Sequence, residues 1–453
     1  MIGVCACSGT AAIAFCQARA GQTTVITNAN VITMAAGPRV QRNQTIVIRD
    51  GRFAEIVPTA TAKIPPDALR IDAAGGYLAP GLTDAHVHFV QNENANLSLV
   101  KLFLANGITT VFNLYGTPMH LELRDRIRRR EILGPATFTS GPSLGVPHGQ
   151  TPTTTPDEIE RSVVAQKQAG YDFLKLHGDL SSDAYARLME SSRIHNIPMI
   201  GHAPRNLGTD AMLRERQTAV AHFEEYIYAY LYFQRSAESV SPLPDLEEKA
   251  RQIAKATKDA GTAVISTLSV YRGIAEQIED LERVLARAEV AYIPRAVGDE
   301  WGWWSPNNTY VRRFSKDKVP WFQARYREQE RLALRFQQAG VLLLAGTDTP
   351  TATMVPGFSL HDELKALVDA GLTPYEALLT ATVNPASFLG RLRDTGTIEP
   401  GKIADCVLLT RNPLEQISNT RSITAVAVGG RWISSREIQR MLASARDVSA
   451  QIR

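Results

Sequence analysis

LAPGLTDAHVHF, residues 78–89, is an apolar run that ends on two histidines one residue apart. Seven runs of similar character follow it: GITTVFNL (107–114), ATFTSGP (136–142), FLKLH (173–177), PMIGHA (198–203), TAVAHFEE (218–225), TAVISTLS (262–269) and VLLLAGTDTP (341–350). Each is preceded by a segment with helical features, such as EIERSVVAQKQAG or YREQERLALRFQQAG. Eight strands alternating with helices over about 300 residues is the arithmetic of a (β/α)8 barrel. A doubly wound open sheet would place a glycine-rich phosphate loop after its first strand, and the sequence has none there. The expected fold class is α/β, a (β/α)8 TIM barrel.

On both flanks the pattern changes to period two. TTVITNANVITM and TIVIRDGRFAEIV read as strands, with Asp50-Gly51 as a two-residue hairpin turn. Near the other end, DCVLL (405–409) and AVAVGGRWI (425–433) repeat the style, turning at Gly429-Gly430. Short sheets at the two ends pair most economically with each other. The expected organisation is a small β-sandwich domain built from 21–80 and 390–440, a barrel over 81–389, and a C-terminal helix or tail over 441–453.

Of the 453 residues, 44% are apolar and 21% charged, the balance of a soluble globular chain. Forty-nine basic against 46 acidic side chains, with no long run of one sign, leave no basic stripe for nucleic acid or anionic membranes. Cys5, Cys7 and Cys16 crowd the first sixteen residues, and Cys406 stands alone beyond them. The folded body therefore has neither an internal disulfide nor a cysteine-based zinc site. Residues 1–20 carry no acid, one base and the apolar stretch VCACSGTAAIAFC, ending in Ala18-Arg19-Ala20. They read as a secretory signal peptide, which places the mature chain, from Gly21, in the periplasm or outside the cell; a misplaced start on a cytoplasmic protein is the alternative. No other stretch approaches the roughly 20 apolar residues of a membrane span.

A barrel carries its chemistry at the C-terminal ends of its strands. There the first run ends on His86-Val87-His88, whose alternation turns both imidazoles into the barrel mouth. Lys175, His202, His222 and Asp348 end four other runs at the same level. A lone histidine is usually a satisfied core residue, but five strand ends converging on nitrogen and carboxylate donors point to metal. Lys175 alternates inward with Phe173 and His177, and a bare ammonium beside two cations makes no chemical sense. A carbamate formed from its amine and CO2 would be an anion able to bridge them.

AAGGYLAPGLTDAHVHF (73–89), AGTDTP (345–350) and TGTIEPGKIADCVLLTRNPL (395–414) together resemble the amidohydrolase superfamily over nearly all of the chain. The resemblance implies that His86 and His88 bind a buried metal with Asp348, that His202 and His222 bind a more exposed one, and that carboxylated Lys175 bridges them. It implies two divalent cations, most simply Zn, sharing a water whose pKa falls toward neutrality, with the resulting hydroxide attacking an amide carbonyl and Asp348 shuttling the proton. YDFLKLHGDLSSDAYARLMESSRIHNIPMIGHAP (171–204) followed by AVAHFEEY looks like the branch that holds Xaa-Pro dipeptidases, ochratoxinase-like amidases and imidazolonepropionase-related enzymes. The expected function is a binuclear dipeptidase or N-acyl amino acid amidase acting on a small amide or dipeptide. Cyclic amide or imidazolone hydrolysis is an alternative, and so is mononuclear deamination, although the superfamily's deaminases place a Glu shortly after the histidine that His202 matches, where this chain has Ala203-Pro204-Arg205. A non-catalytic scaffold is the remaining class, and it would be expected to have lost ligands that this chain keeps. A homo-oligomer is compatible with all of these.

Substrate contacts are expected from His148 in GVPHGQ, from Tyr226 or Tyr228 polarising the carbonyl, and from His177, which also suits a place behind the ligands. Arg205 and Arg295 stand near strand exits as candidate carboxylate binders. The tryptophans of WGWWSPNNTY (301–310) are candidates for an aromatic wall or lid, while His120, His195 and His361 receive no role.

Overall fold

Gly81 divides the run 78–89 into two strands that belong to different parts of the molecule. Its N–H donates to Asp405 O at 2.9 Å. A Cβ here would lie 2.2 Å from Thr109 Oγ1, so only glycine lets the chain pass from the small sheet into the barrel at this point. The computed structural model describes residues 23–151, 153–233 and 237–451, and the expected export segment lies outside the described residues.

Five strands precede Gly81: Thr24–Ile32 (β1), Val40–Arg49 (β2), Arg52–Pro58 (β3), Leu69–Asp72 (β4) and Tyr77–Pro80 (β5). The barrel strands follow as Leu82–Val87 (β6), Ile108–Asn113 (β7), Ala136–Thr139 (β8), Leu174–Leu176 (β9), Met199–Gly201 (β10), Ala219–Ala221 (β11), Ala263–Ile265 (β12) and Leu343–Leu344 (β13). Cys406–Leu409 (β14), Ile423–Val428 (β15) and Arg431–Ile433 (β16) return to the first sheet. The expectation of one strand over 78–89 is thus corrected: Leu78 to Pro80 pair with β14, and only Leu82 onward enters the barrel. Periodicity could not show this break, because the run is apolar on both sides of the glycine.

The small sheet has the order β16-β15-β14-β5-β1-β2-β3, with β4 also beside β1, so the two ends of the chain share one sheet. Its layers come from a single curled sheet. The turn at Asp50-Gly51 reaches back to the start of β14, where Ala404 N donates to Gly51 O at 2.9 Å. Both hairpin turns have positive φ at their two central residues, 50° and 79° at Asp50-Gly51, 53° and 79° at Gly429-Gly430, as the right-handed strand twist favours. Ile26, Val31, Ile46, Phe53, Leu78 and Cys406 form the core inside the curl.

The barrel strands form two parallel arcs, β6-β7-β8 and β9 to β13. Isolated bridges join the arcs, Ser140 with Phe173 and Leu144 with Leu176 on one side and Val87 with Thr349 on the other. Beside the bridge from Val87, Ala85 N donates to Ala345 O at 2.9 Å and His88 N to Thr349 O at 2.8 Å. Phe112, Phe173, Ile200, Ile265 and Leu344 fill the interior, with Phe138 and Phe388 packed against them, so the barrel is a packed core rather than a pore. Alternate residues Val87, Val220, Val264 and Leu343 face the main core beneath the helices. The C-terminal helix runs over Ser435–Gln451, starting inside the stretch expected to belong to the β-domain. It docks on Glu93–Ala105, where Lys101 Nζ donates to Ser444 Oγ at 3.0 Å. Among the described residues no helix is long and apolar enough to cross a membrane.

Candidate metal centre

Two residues beyond Phe173 and Ile200, on the same faces of their strands, come Lys175 and His202, and the barrel interior turns from apolar to polar. His86 Nε2 and His88 Nε2 lie 3.1 and 2.8 Å from Asp348 Oδ1. Lys175 Nζ lies 3.3 Å from His86 Nε2. The His222 ring centroid is 4.7 Å from that of His86 and 5.1 Å from that of His202. Ligand bonds of about 2.0–2.1 Å put the donors of a tetrahedral cation roughly 3.4 Å apart, close to the spacings seen here. His86, His222 and Asp348 offer donor atoms that all lie within 4.8 Å of one another, whereas His202 makes such a group with His148 and Glu225. His222 therefore stands between the two groups rather than beside His202 alone.

Burial sets the charge of these groups. It drives His86 and His202 well below the usual imidazole range and His222 to about 4, so at neutral pH each presents a lone pair. Burial also lowers Lys175 to about 8, with Asp348 and Glu225 opposing the shift. Asp348 resists the upward push of its own burial, because His222, His88 and Lys175 hold its carboxyl well below the ordinary range. Backbone φ is positive at His222 (79°), Thr267 (47°) and Asp348 (58°), conformations that cost energy for residues with a Cβ and that cluster at functional sites. Above the donors opens a cavity of about 490 Å³, polar at its floor and aromatic toward Tyr271, Phe314, Trp321 and Phe322.

The sequence pattern of the amidohydrolase family matches residues 77–433. The chain belongs to the amidohydrolase family. The adenine deaminase of Paracoccus denitrificans (strain Pd 1222) is 22% identical over 381 residues, which cover 82% of this chain and 52% of the deaminase. This amidohydrolase thus spans about half the length of the curated relatives it matches. A Xaa-Pro dipeptidase solved with methionine in its active site is similar at a TM-score of 0.69 and 18% identity, covering 91% of this chain and 100% of that one. The A. niger ochratoxinase is similar at 0.63 and 20%, covering 92% and 96%. At these identities the likeness to the two solved structures is one of fold.

In this amidohydrolase a ring of side chains outside the donors orients them. His202 Nδ1 meets Glu225 Oε1 at 3.1 Å and His148 Nε2 at 3.3 Å, and His148 Nδ1 meets Asp179 Oδ1 at 2.9 Å. Arg205 donates to both Glu224 (2.8 Å) and Glu225 (2.5 Å). Despite burial, Arg205 and His202 keep Glu225 well below the usual carboxylate range, while burial raises Glu224. His222 Nδ1 meets Thr267 Oγ1 at 2.7 Å. The loop bearing Thr267 is itself tied to buried Glu363, which accepts from Ser266 Oγ (2.6 Å), Leu268 N (2.9 Å), Ser269 N (2.8 Å) and Ser269 Oγ (2.6 Å). Glu363→Gln would turn an amide NH2 toward these donors. It is expected to lose about 2–4 kcal/mol of stability and to weaken metal binding about tenfold. Zn2+ titration of the apoprotein against a chelator reads the second effect, and wild-type affinity there would show that Thr267 keeps its place unaided.

The residues expected to touch substrate divide. Tyr228 and His177 line the cavity; the Tyr228 hydroxyl is 3.1 Å from that of Tyr271, and His177 packs on His202 at 4.5 Å between centroids. Tyr226 does not: it is fully buried, packs on Phe336 and accepts from Thr257 Oγ1 at 3.3 Å. The segment is helical, so its alternate tyrosines diverge instead of sharing one face. His148 is not among the cavity's lining residues and instead stands behind His202. Arg205 is held by two glutamates, and Arg295, which pairs with Asp299 in the same helix, is not among the residues that line the cavity. Of the tryptophans in 301–304, Trp301 lines the cavity, 5.0 Å from His88, whereas Trp303 is buried with Nε1 donating to Pro350 O. Asp179, Glu224, Glu225, Thr267 and Glu363 escaped the sequence reading. The adjacent acids of HFEE, close to a strand exit and to Arg205, were the one local signal for Glu224 and Glu225.

Proposed function

We propose that this amidohydrolase is a binuclear metal-dependent amide hydrolase of the dipeptidase or N-acyl amino acid amidase type. The observation that carries the reading is Lys175, whose Nζ sits 3.3 Å from His86 Nε2 among the imidazoles of His88, His202 and His222 and the Asp348 carboxylate. The donor set suits nitrogen-binding dications, Zn2+ first among them: burial keeps three of the imidazoles neutral, and the buried Nδ1 atoms of His86 and His88 have no hydrogen-bond partner among the described residues. His86, His88 and Asp348 would hold one ion, His202 and His222 the other, with Lys175 between them. Bound there, two such ions acidify water and polarise a carbonyl.

The rest falls to the chain. A Lys175 amine lowered to about 8 is partly neutral near pH 7.5, as addition to CO2 requires. The new N–C bond releases one proton and leaves a carbamate anion. Asp348, held ionised, accepts the proton of the attacking water and returns it to the departing amine nitrogen. The Tyr228 hydroxyl, on the cavity wall, would donate to the carbonyl oxygen, and the Trp301 ring, 5.0 Å from that of His88, would cover that side of the site. Metal analysis of the purified protein, combined with a screen of dipeptides and N-acyl amino acids, tests the reading. About two ions per chain with amine release is the expected result.

A second reading, deamination, draws on Glu224. Ala203-Pro204-Arg205 are only the sequence neighbours of His202, whereas Glu224 reaches the same cavity from the exit of β11 with its carboxyl raised. The curated relative from Paracoccus denitrificans is named an adenine deaminase. Ammonia from adenine with about one ion per chain would favour that reading over the first.

A further inference from the structure

The segment between β12 and β13 forms one wall of the cavity mouth and is firmly anchored. Trp303 Nε1 donates to Pro350 O at 2.8 Å, in the loop that leaves Asp348. Buried Asn308 donates to Gln277 Oε1 at 3.0 Å and Trp303 O at 2.9 Å, and accepts from Tyr310 N and Val311 N to start the turn Thr309–Arg313. Arg313 ends that turn and lines the cavity, its guanidinium 5.3 Å from the Phe314 ring centroid. The cavity's other cations are committed: Lys175 lies in the floor and Arg205 is clamped by Glu224 and Glu225. Arg313 has no carboxylate within ion-pair distance among the described residues.

We infer that Arg313 is the specificity-determining residue for a substrate carboxylate at the cavity mouth, with Val270, Ile274, Phe314 and Phe322 receiving an apolar or aromatic side chain. A guanidinium presents a planar fork that a carboxylate matches with two parallel hydrogen bonds, and Arg313 is exposed where it lines the cavity. With the scissile amide over the metal-ligating residues, an anion at the mouth and an apolar wall beside it, the substrate class is an N-acylated amino acid with a free carboxylate and an apolar side chain. The amide part rests on the proposed function; recognition of the carboxylate does not.

Calorimetric titration of the metal-loaded protein with 4-phenylbutyrate and with 4-phenylbutan-1-ol tests this without turnover, since neither contains an amide. The wild type is expected to favour the carboxylate by roughly ten- to a hundredfold, as a charge-assisted pair is worth. In Arg313→Met the ratio should fall by about tenfold or more, and Arg313→Lys should be intermediate, keeping the charge without the fork. A ratio unchanged in Arg313→Met would mean that the carboxylate sits on the metal ions instead, and would overturn the inference. So would a wild type that prefers neither probe or binds neither at millimolar concentration. If binding discriminates as expected while no amide is hydrolysed, the proposed function fails and the carboxylate site stands.

Discussion

Lys175→Ala is expected to lose metal and activity together. The side chain is buried at the centre of the donor cluster, 2% exposed and 3.3 Å from His86 Nε2, while Glu224 and Glu225, the other carboxylates near His202, are engaged by Arg205. Without it, Asp348 would be the one anionic ligand left against two dications, so bound metal should fall from about two ions per chain to one or fewer. Turnover should drop by about three orders of magnitude or more if both ions share in the chemistry. Short carboxylic acids such as propionate, supplied with bicarbonate, should restore part of both losses by placing two oxygens where the carbamate would lie. Two ions and full turnover in Lys175→Ala would sink the binuclear proposal.

The metal-free protein gives an independent check. Burial lowers Lys175 from its ordinary 10.5 to about 8, so between those values the unfolded chain holds a proton that the folded chain has released. Stability contributed by this residue therefore rises with pH across that window, and Lys175→Ala should lose that contribution to the slope. Denaturant unfolding of the two apoproteins at pH 7.5, 9 and 10 reads the difference.

What was legible in the sequence is what local periodicity encodes. His86-Val87-His88, Lys175 and the strand-end positions of His202, His222 and Asp348 follow from apolar runs and the two-residue alternation of a strand. Three kinds of information were not local. The break at Gly81 separates two apolar strands with no change of periodicity, and it is their different partners, β14 on one side and β7 on the other, that reveal it. The tyrosines of 224–233 alternate as a strand would but wind as a helix, which sends Tyr226 into the core and leaves Tyr228 on the cavity wall. The ring around the donors joins residues far apart in the chain: Glu363 reaches the loop of Thr267 from nearly a hundred residues away, and His148 reaches His202 across two strands. Buried carboxylates of this kind carry no motif, because their role is fixed by the donors that converge on them and not by their sequence neighbours.

Asp348→Asn separates proton transfer from metal assembly. Asp348 is asked both to ligate and to carry a proton, whereas His86, His88, His202 and His222 are asked only to ligate. Asparagine keeps the shape and one acceptor oxygen toward the His86 and His88 rings, which now approach Oδ1 at 3.1 and 2.8 Å, but it is no base. Metal content should therefore stay near the wild-type value. General acid–base help is worth about two to four orders of magnitude, so kcat should fall at least that far while substrate continues to bind and the acidic limb of the pH profile changes. A kcat within about tenfold of wild type would mean that another group moves the proton. The cavity names the candidates: His177 and Glu224 both line it, whereas His148, held behind His202 by Asp179, does not. Glu224→Gln in the Asp348→Asn background would then decide between those two, because its carboxyl is raised by burial and is the nearer to a protonated acid.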